Sequence, residues 1–482
     1  MSALTQIATA PETAISPVAP ATTISSITSV TAPAMNARTS RLLQGPIVPI
    51  MLAMAWPNIL VMLAQASTGL IETWFVSRLG IDALTGMALV FPGFMMMQML
   101  SGGAMGGGIA SAIARALGGG RKHDADALVW HALIINLTLG LIFSALVLTF
   151  GRSLYLALGG HGESVEAALR YSNVVFIATP VVWLLNALAS IIRGTGNMMV
   201  PALAVILGVA LLIPLSPTLI FGLGPIPAMG VTGAGIAVMA TTCLSALALG
   251  VYVFGGWSLV RPGAFRPRWK MFADILRVGA VASVSTLQTT FTIGLLTALV
   301  GLAGGPDAVA GYGTGARLEF LLVPLVFGLG APLVALVGTN IGAGQRDRAL
   351  RVALTGGAIA FGLCEAVGLA AAIWPEAWLG LFGHDPGMLA AGVVYLHYAG
   401  PAYGFFGLGL SLYFASQGAG RLAWPLFAGF LRMGIAVGGG WAAWFATHDL
   451  RAVFAVLSLA LFVYGSVLVS AIKAGVWFRR AT

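Results

Sequence analysis

The chain has 482 residues, 59% of them hydrophobic and only 8% charged, with 24 Lys and Arg against 15 Asp and Glu and a mean hydropathy of +0.95. A soluble domain is about 25% charged, so the composition excludes a soluble enzyme, and the basic excess reads as membrane topology rather than nucleic-acid binding. The two cysteines, Cys243 and Cys364, both lie in apolar stretches and exclude a disulfide framework or a CxxC metal site.

Residues 1–44 open the chain with Ala, Thr, Ser and Pro and almost no charge. Such a segment cannot bury enough apolar surface to order itself, so a disordered cytoplasmic tail is expected. It has neither the basic and apolar regions of a secretory signal nor the arginines of a transit peptide. Beyond it, stretches long enough to cross a bilayer, roughly 20 apolar residues each, recur with short polar punctuation. They fall near 47–76, 84–114, 126–150, 168–192, 198–222, 231–256, 271–300, 308–338, 350–374, 388–415, 422–446 and 451–473. Period-two alternation is absent, which argues against a membrane barrel.

The basic residues orient these twelve spans. With the N-terminus inside, only Arg78, Arg152, Arg170 and Arg451 lie in outer segments, and Arg317 and Arg432 fall inside spans. The other Lys and Arg are cytoplasmic, as the positive-inside rule requires, and both termini are placed in the cytoplasm.

Sliding the chain on itself gives matches at one offset, 224: Gly106 with Gly330, Gly118 with Gly342, Gly120 with Gly344, Tyr171 with Tyr395, Gly194 with Gly418 and Pro201 with Pro425. Six spans per half make the halves parallel, related by an axis along the membrane normal. The expected fold is an all-α polytopic membrane protein of about twelve transmembrane helices in two parallel six-helix lobes. Residues 45–258 form the N-lobe, 259–277 a cytoplasmic connector with the start of helix 7, and 278–482 the C-lobe. Two lobes that rock about a central site suit a transporter.

Charge within the bilayer costs about 2.5–3.5 kcal/mol or more and is retained for a reason. The candidates are Glu72, Arg317, Glu319, Glu365 and Arg432, with His397 a weaker one; His397 and Tyr395 start a span and read as interfacial. Glu72 is the sharpest. It sits in the first span, one and a half turns before Arg78, where burial favours the protonated carboxyl. Gln65 lies seven residues earlier, on the same helix face. Arg317 and Glu319 are two apart and do not face each other, so each needs another partner. Glu365 and Arg432 read as structural. The dense methionines around Met95, Met96, Met97 and Met99 can line an apolar cavity or a packed face. GxxxxGK[ST], HExxH, GxSxG and CxxC are absent, so ATP is not the energy source and an ion gradient is. No catalytic residue, metal site or cofactor is expected.

At this point the residues resemble the multidrug and toxic compound extrusion (MATE) family. Phe75-Val76-Ser77-Arg78-Leu79-Gly80 with Ala83-Leu84 is similar to the end of that family's first helix. Arg193-Gly194-Thr195-Gly196-Asn197 with Pro201 is similar to its signature between helices four and five, and Gly338-Thr339-Asn340-Ile341-Gly342-Ala343-Gly344 to the second-half counterpart. The likeness runs from about 46 to 475. It implies a V-shaped pair of six-helix lobes and export of organic, often cationic, compounds or other xenobiotics in exchange for protons or sodium. The implied setting is the bacterial inner membrane, with membrane lipid around a monomer and no nucleic-acid partner.

The family's acidic residue in the first helix falls on Glu72, its polar position on Gln65, and an Asn before the Arg-Gly motif on Asn186. Where the fifth helix often carries an Asn and a second Asp or Asn, this chain has Leu212 and Ser216, and the polar position of the sixth helix is Val238. With so few oxygens for sodium, the reading favours H+ over Na+. Ion coupling is assigned to Glu72, and Gln65, Asn186, Ser216, Arg317 and Glu319 are the candidates for the substrate cavity. The competing function is a flippase for lipid-linked precursors, which would want several arginines at a central cavity. A membrane-embedded enzyme would need acidic metal-binding pairs or a large loop domain.

Overall fold

The computed structural model describes residues 36–478. Its regular elements are helices: α1 Ala37–Gln44, α2 Ile47–Ser77, α3 Ile81–Gly118, α4 Lys122–Ala157, α5 Glu163–Ile177, α6 Thr179–Gly194, α7 Met199–Phe221 and α8 Gly230–Phe254 make up the first half. A long helical segment, Trp269–Gly342, follows. Gly305 divides it at φ 71° and ψ −163°, a left-handed conformation that disfavours any side chain, giving α9 over 269–304 and α10 over 306–342. The rest are α11 Arg346–Ile373, α12 Pro375–Leu379, α13 Pro386–Ala399, α14 Tyr403–Ala419, α15 Ala423–Thr447 and α16 Leu450–Lys473.

These helices make twelve crossings. Nine helical segments are individually long and apolar enough to span a bilayer among the described residues, and α5 with α6, bent by 47° at Ala178, supplies a tenth. The break at Gly305 makes two spans of one segment, and α13 runs into α14 through a 3-10 turn at Gly400–Ala402 to complete the set. The observed spans fall where hydropathy places them. The first 35 residues of the expected tail lie outside the described range, but 37–44 corrects the rest: they form α1, with Thr39, Leu42 and Leu43 buried. The connector is held against α4. Arg261 N donates to Asp126 at 2.7 Å, Trp130 Nε1 to Gly263 O at 2.8 Å and Arg268 N to His131 at 3.0 Å.

One hydrophobic cluster fills each half. The halves exchange the ends of their first helices. Ile50, Met51 and Met54 of α2 belong to the C-terminal cluster, whereas Met271 and Ile275 of α9 belong to the N-terminal one. Met51 and Ile275 are 224 positions apart and both fully buried, so the swap obeys the internal repeat.

Glycines bring the halves together at the end of the bundle that carries the 255–268 linker. A side chain on Gly118 would strike the Thr339 carbonyl, and one on Gly342 would strike the Arg115 carbonyl. Arg115 donates to Gly418 O at 3.2 Å and to Asp274 Oδ1 at 2.8 Å. Farther from the linker, Gln417 donates to Gly103 O at 3.3 Å, and Asn58 of α2 donates to the carbonyls of Phe327 and Gly328 at 3.0 and 3.3 Å. Beyond these contacts the helix faces that continue the interface are open. Met96 and Met99 of α3 are 40% and 42% exposed, and Leu321 of α10 is 60% exposed. The halves are closed at the linker end and part toward the other.

Candidate functional site

The cleft wall on α2 follows one face of the helix at steps of seven. Asn58 meets α10, Gln65 is exposed, and Glu72 is buried at 4% exposure. Gln65 and Glu72 share the face that their spacing dictates, yet their surroundings differ. Gln65 opens on the cleft, and Glu72 is covered by α5. There the hydroxyl of Tyr171 donates to Glu72 Oε2 at 3.3 Å. Glu72 Oε1 is buried with no hydrogen-bond partner, and no Lys or Arg pairs with the carboxylate among the described residues. Tyr171 is itself 5% exposed. Sequence reasoning noted Tyr171 only as the repeat mate of Tyr395. The signal for its role is a tyrosine in an apolar helix, where its hydroxyl needs a partner.

Asn186 stands apart from this pair. Its amide donates to Gln98 Oε1 at 3.1 Å and to Ser101 Oγ at 2.8 Å, where α3 widens into a π-helical turn over Met99–Met105. Such turns often mark functional sites, and Gly102 leaves the room that the Asn186 amide occupies. Ser216 of α7 is fully buried and its hydroxyl finds no partner among the described residues. Its helix packs on α2, so two unsatisfied oxygens, Ser216 Oγ and Glu72 Oε1, lie on neighbouring helices.

In the second half, Arg317 is exposed, with its guanidinium 5.2 Å from the Phe382 ring. Glu319, two positions on, is partly buried. The two neighbours do not pair, in keeping with their spacing. Arg432, 9% exposed, lies 5.2 Å from the Tyr464 ring. Glu365 accepts from Gly404 N at 2.8 Å and ties α11 to α14. Tyr395 is not interfacial as expected: it is 1% exposed and receives the Tyr403 hydroxyl at 3.2 Å. Gln288 of α9 bridges to Gly429 O and Thr292 Oγ1, each at 3.0 Å.

The two arginines inside the spans do not gather in one place. Arg317 faces Phe382 and Arg432 faces Tyr464, on separate contacts. The flippase alternative, which wants clustered arginine, gains no support.

The comparisons agree with this arrangement. The MatE family model matches residues 57–218 and 281–441, two segments that begin 224 residues apart. The chain is 27% identical over 373 residues to a protein of Shewanella oneidensis named an FAD transporter, covering 76% of this chain and 81% of that one. It is 25% identical over 370 residues to the probable multidrug resistance protein NorM of Thermotoga maritima, covering 76% and 79%. A crystal structure described as MATE in the bent conformation superposes with a TM-score of 0.84 at 26% identity, covering 92% of this chain and 98% of that chain. With the twofold repeat and both matched segments in place, the chain belongs to the MatE family of multi-pass membrane transporters and is not an enzyme.

Proposed function

We propose that this protein is a secondary active efflux antiporter that exports organic compounds in exchange for protons, with Glu72 as the coupling carboxyl. The observation that carries the reading is the buried Glu72, with one hydrogen bond from Tyr171 and one oxygen unpartnered. An isolated carboxylate is too costly to keep ionised in such surroundings and neutralises instead by taking up a proton. Release requires water or a polar partner to reach the group, and a rearrangement of the two halves supplies that access. A sodium ion would need several fixed oxygens in place of its hydration shell. Leu212 and Val238, on α7 and α8, offer none.

Relatives named as an FAD transporter and a multidrug resistance protein support organic cargo. The positive-inside rule puts the linker end in the cytoplasm, so the described state is closed inward and open outward. A bacterial inner membrane with both termini cytoplasmic completes the proposal, and one chain holds both lobes of the exchanger.

Efflux from proteoliposomes under imposed proton or sodium gradients tests it. Glu72→Gln keeps the size and the hydrogen-bonding capacity of the side chain but carries no titratable proton. Proton-driven efflux is expected to vanish while the purified variant stays folded. Undiminished efflux in Glu72→Gln would remove Glu72 from the mechanism, and transport driven only by sodium would replace the ion.

A further inference from the structure

We propose that Arg317 selects cargo that carries an anionic group, so that the cleft takes amphipathic anions in preference to organic cations. The inference rests on the exporter reading above and names the class of its cargo.

Arg317 lies 11 residues before Gly328, the point at which α10 touches α2. Eleven residues are three turns, so both positions share one face of α10. The exposed positions between them and outward, Ala310, Gly313, Arg317 and Leu321, form a continuous stripe at three- and four-residue steps. On this stripe α10 is in contact at Gly328 and free of the other half farther out. Arg317 is therefore on the cleft wall, about 16 Å outward from the contact at 1.5 Å per residue. It stands about 18 Å in from the break at Gly305, well inside the apolar span rather than at its end. A cation at that depth is costly and is kept where it faces water or a partner.

Its surroundings supply an aromatic ring and no carboxylate. Phe382 stacks near the guanidinium, and no acid pairs with Arg317 among the described residues. The acids at membrane depth are committed elsewhere. Glu72 is beneath Tyr171, Glu365 holds the Gly404 amide, and Glu319 lies partly buried on another face of α10. The opposite wall offers Met96 and Met99 from α3 and Gln65 from α2. Flexible thioethers accept flat apolar bodies of varied shape. A guanidinium fork favours carboxylate or phosphate. An apolar cleft with one uncommitted arginine suits a molecule with an aromatic body and an anionic arm, and repels a cation of the same shape.

Three probes separate the possibilities: riboflavin, riboflavin 5′-phosphate and ethidium. The first two differ by a phosphate, and the third is a flat organic cation. Binding is read from flavin or ethidium fluorescence on the purified full-length protein, and transport from counterflow in proteoliposomes, which needs no ion gradient. The wild type is expected to favour the phosphate over riboflavin by at least about tenfold. Arg317→Gln should bring the two flavins to parity. Arg317→Lys should keep part of the preference, because it retains the charge and loses the fork. A wild type without phosphate preference, or Arg317→Gln with the preference intact, overturns the proposal. Ethidium carried equally by wild type and Arg317→Gln, with no flavin preference, does so while leaving the exporter reading standing. A wild type that moves none of the three overturns both.

Discussion

Gly118 and Gly342 are repeat mates that meet the opposite half reciprocally: Gly118 abuts the carbonyl of Thr339, and Gly342 abuts that of Arg115. Thr339 and Arg115 are also 224 positions apart, so each contact is the image of the other, as at a twofold interface. No side chain fits at either position without moving backbone. Gly118→Val or Gly342→Val should force the linker end apart. Spin labels at Arg121 and Gln345, themselves repeat mates, should report a longer distance in each variant, and transport should fall at least about tenfold. An unchanged distance distribution in both variants would show that the closure does not depend on glycine.

The repeat was legible because it is made of such glycines. Gly118, Gly194, Gly342 and Gly418 each face a backbone that admits no side chain, and that steric demand prints itself on the sequence twice. The twelve spans were legible because a bilayer requires long apolar segments, and Glu72 because charge is rare there. The exchange of α2 and α9 between the clusters was not. A helix apolar on every side gives no moment to say which neighbour it packs against, and Met51 reads the same in either core. Tyr171 was missed because its partner lies 99 residues away. The order in 37–44 was missed because one short helix with two arginines resembles a polar tail until Leu42 finds its pocket.

Tyr171→Phe separates the hydroxyl from the ring. The aromatic packing stays and Glu72 loses its hydrogen bond, leaving both carboxyl oxygens unpartnered. A net loss of about 0.5–1.5 kcal/mol in stability is expected, measurable as a small drop in thermal unfolding temperature. Proton-driven efflux should fall several-fold without the total loss expected of Glu72→Gln. Wild-type efflux in Tyr171→Phe would make the hydroxyl a packing detail.

Arg115 and Asp274 should not be equivalent, although they form one ion pair at 2.8 Å. The Asp274 side chain is 48% exposed and that of Arg115 13%. Water screens the carboxylate, so the pair contributes under about 1 kcal/mol. Arg115 also holds the Gly418 carbonyl of the other half, and its loss leaves a part-buried acceptor unsatisfied at about 1–3 kcal/mol. Arg115→Gln should therefore destabilise the closed linker end more than Asp274→Asn does, read as the population of long spin-label distances. Equal effects would mean that the ion pair, rather than the bridge to Gly418, holds the halves.

Helix α1 touches both halves where they close. Its Leu42 side chain packs on Gly196 of the first half, and the Leu42 carbonyl accepts from Asn340 and Arg348 of the second, each at 3.4 Å. Arg348 also donates to the Gly45 carbonyl. A rocking motion that opens the linker end must break one set of these contacts, so α1 opposes that motion. Deleting residues 36–44 together with the preceding tail should leave both clusters folded and raise the population with the linker end open. Leu42→Ala should do the same more weakly, removing a buried side chain worth at most about 2–5 kcal/mol. The Arg121 and Gln345 labels report the shift directly. Deletion of 1–35 alone spares every one of these contacts and should leave the distances unchanged. A shift produced by that shorter deletion, or none produced by the longer one, would remove α1 from the control of opening.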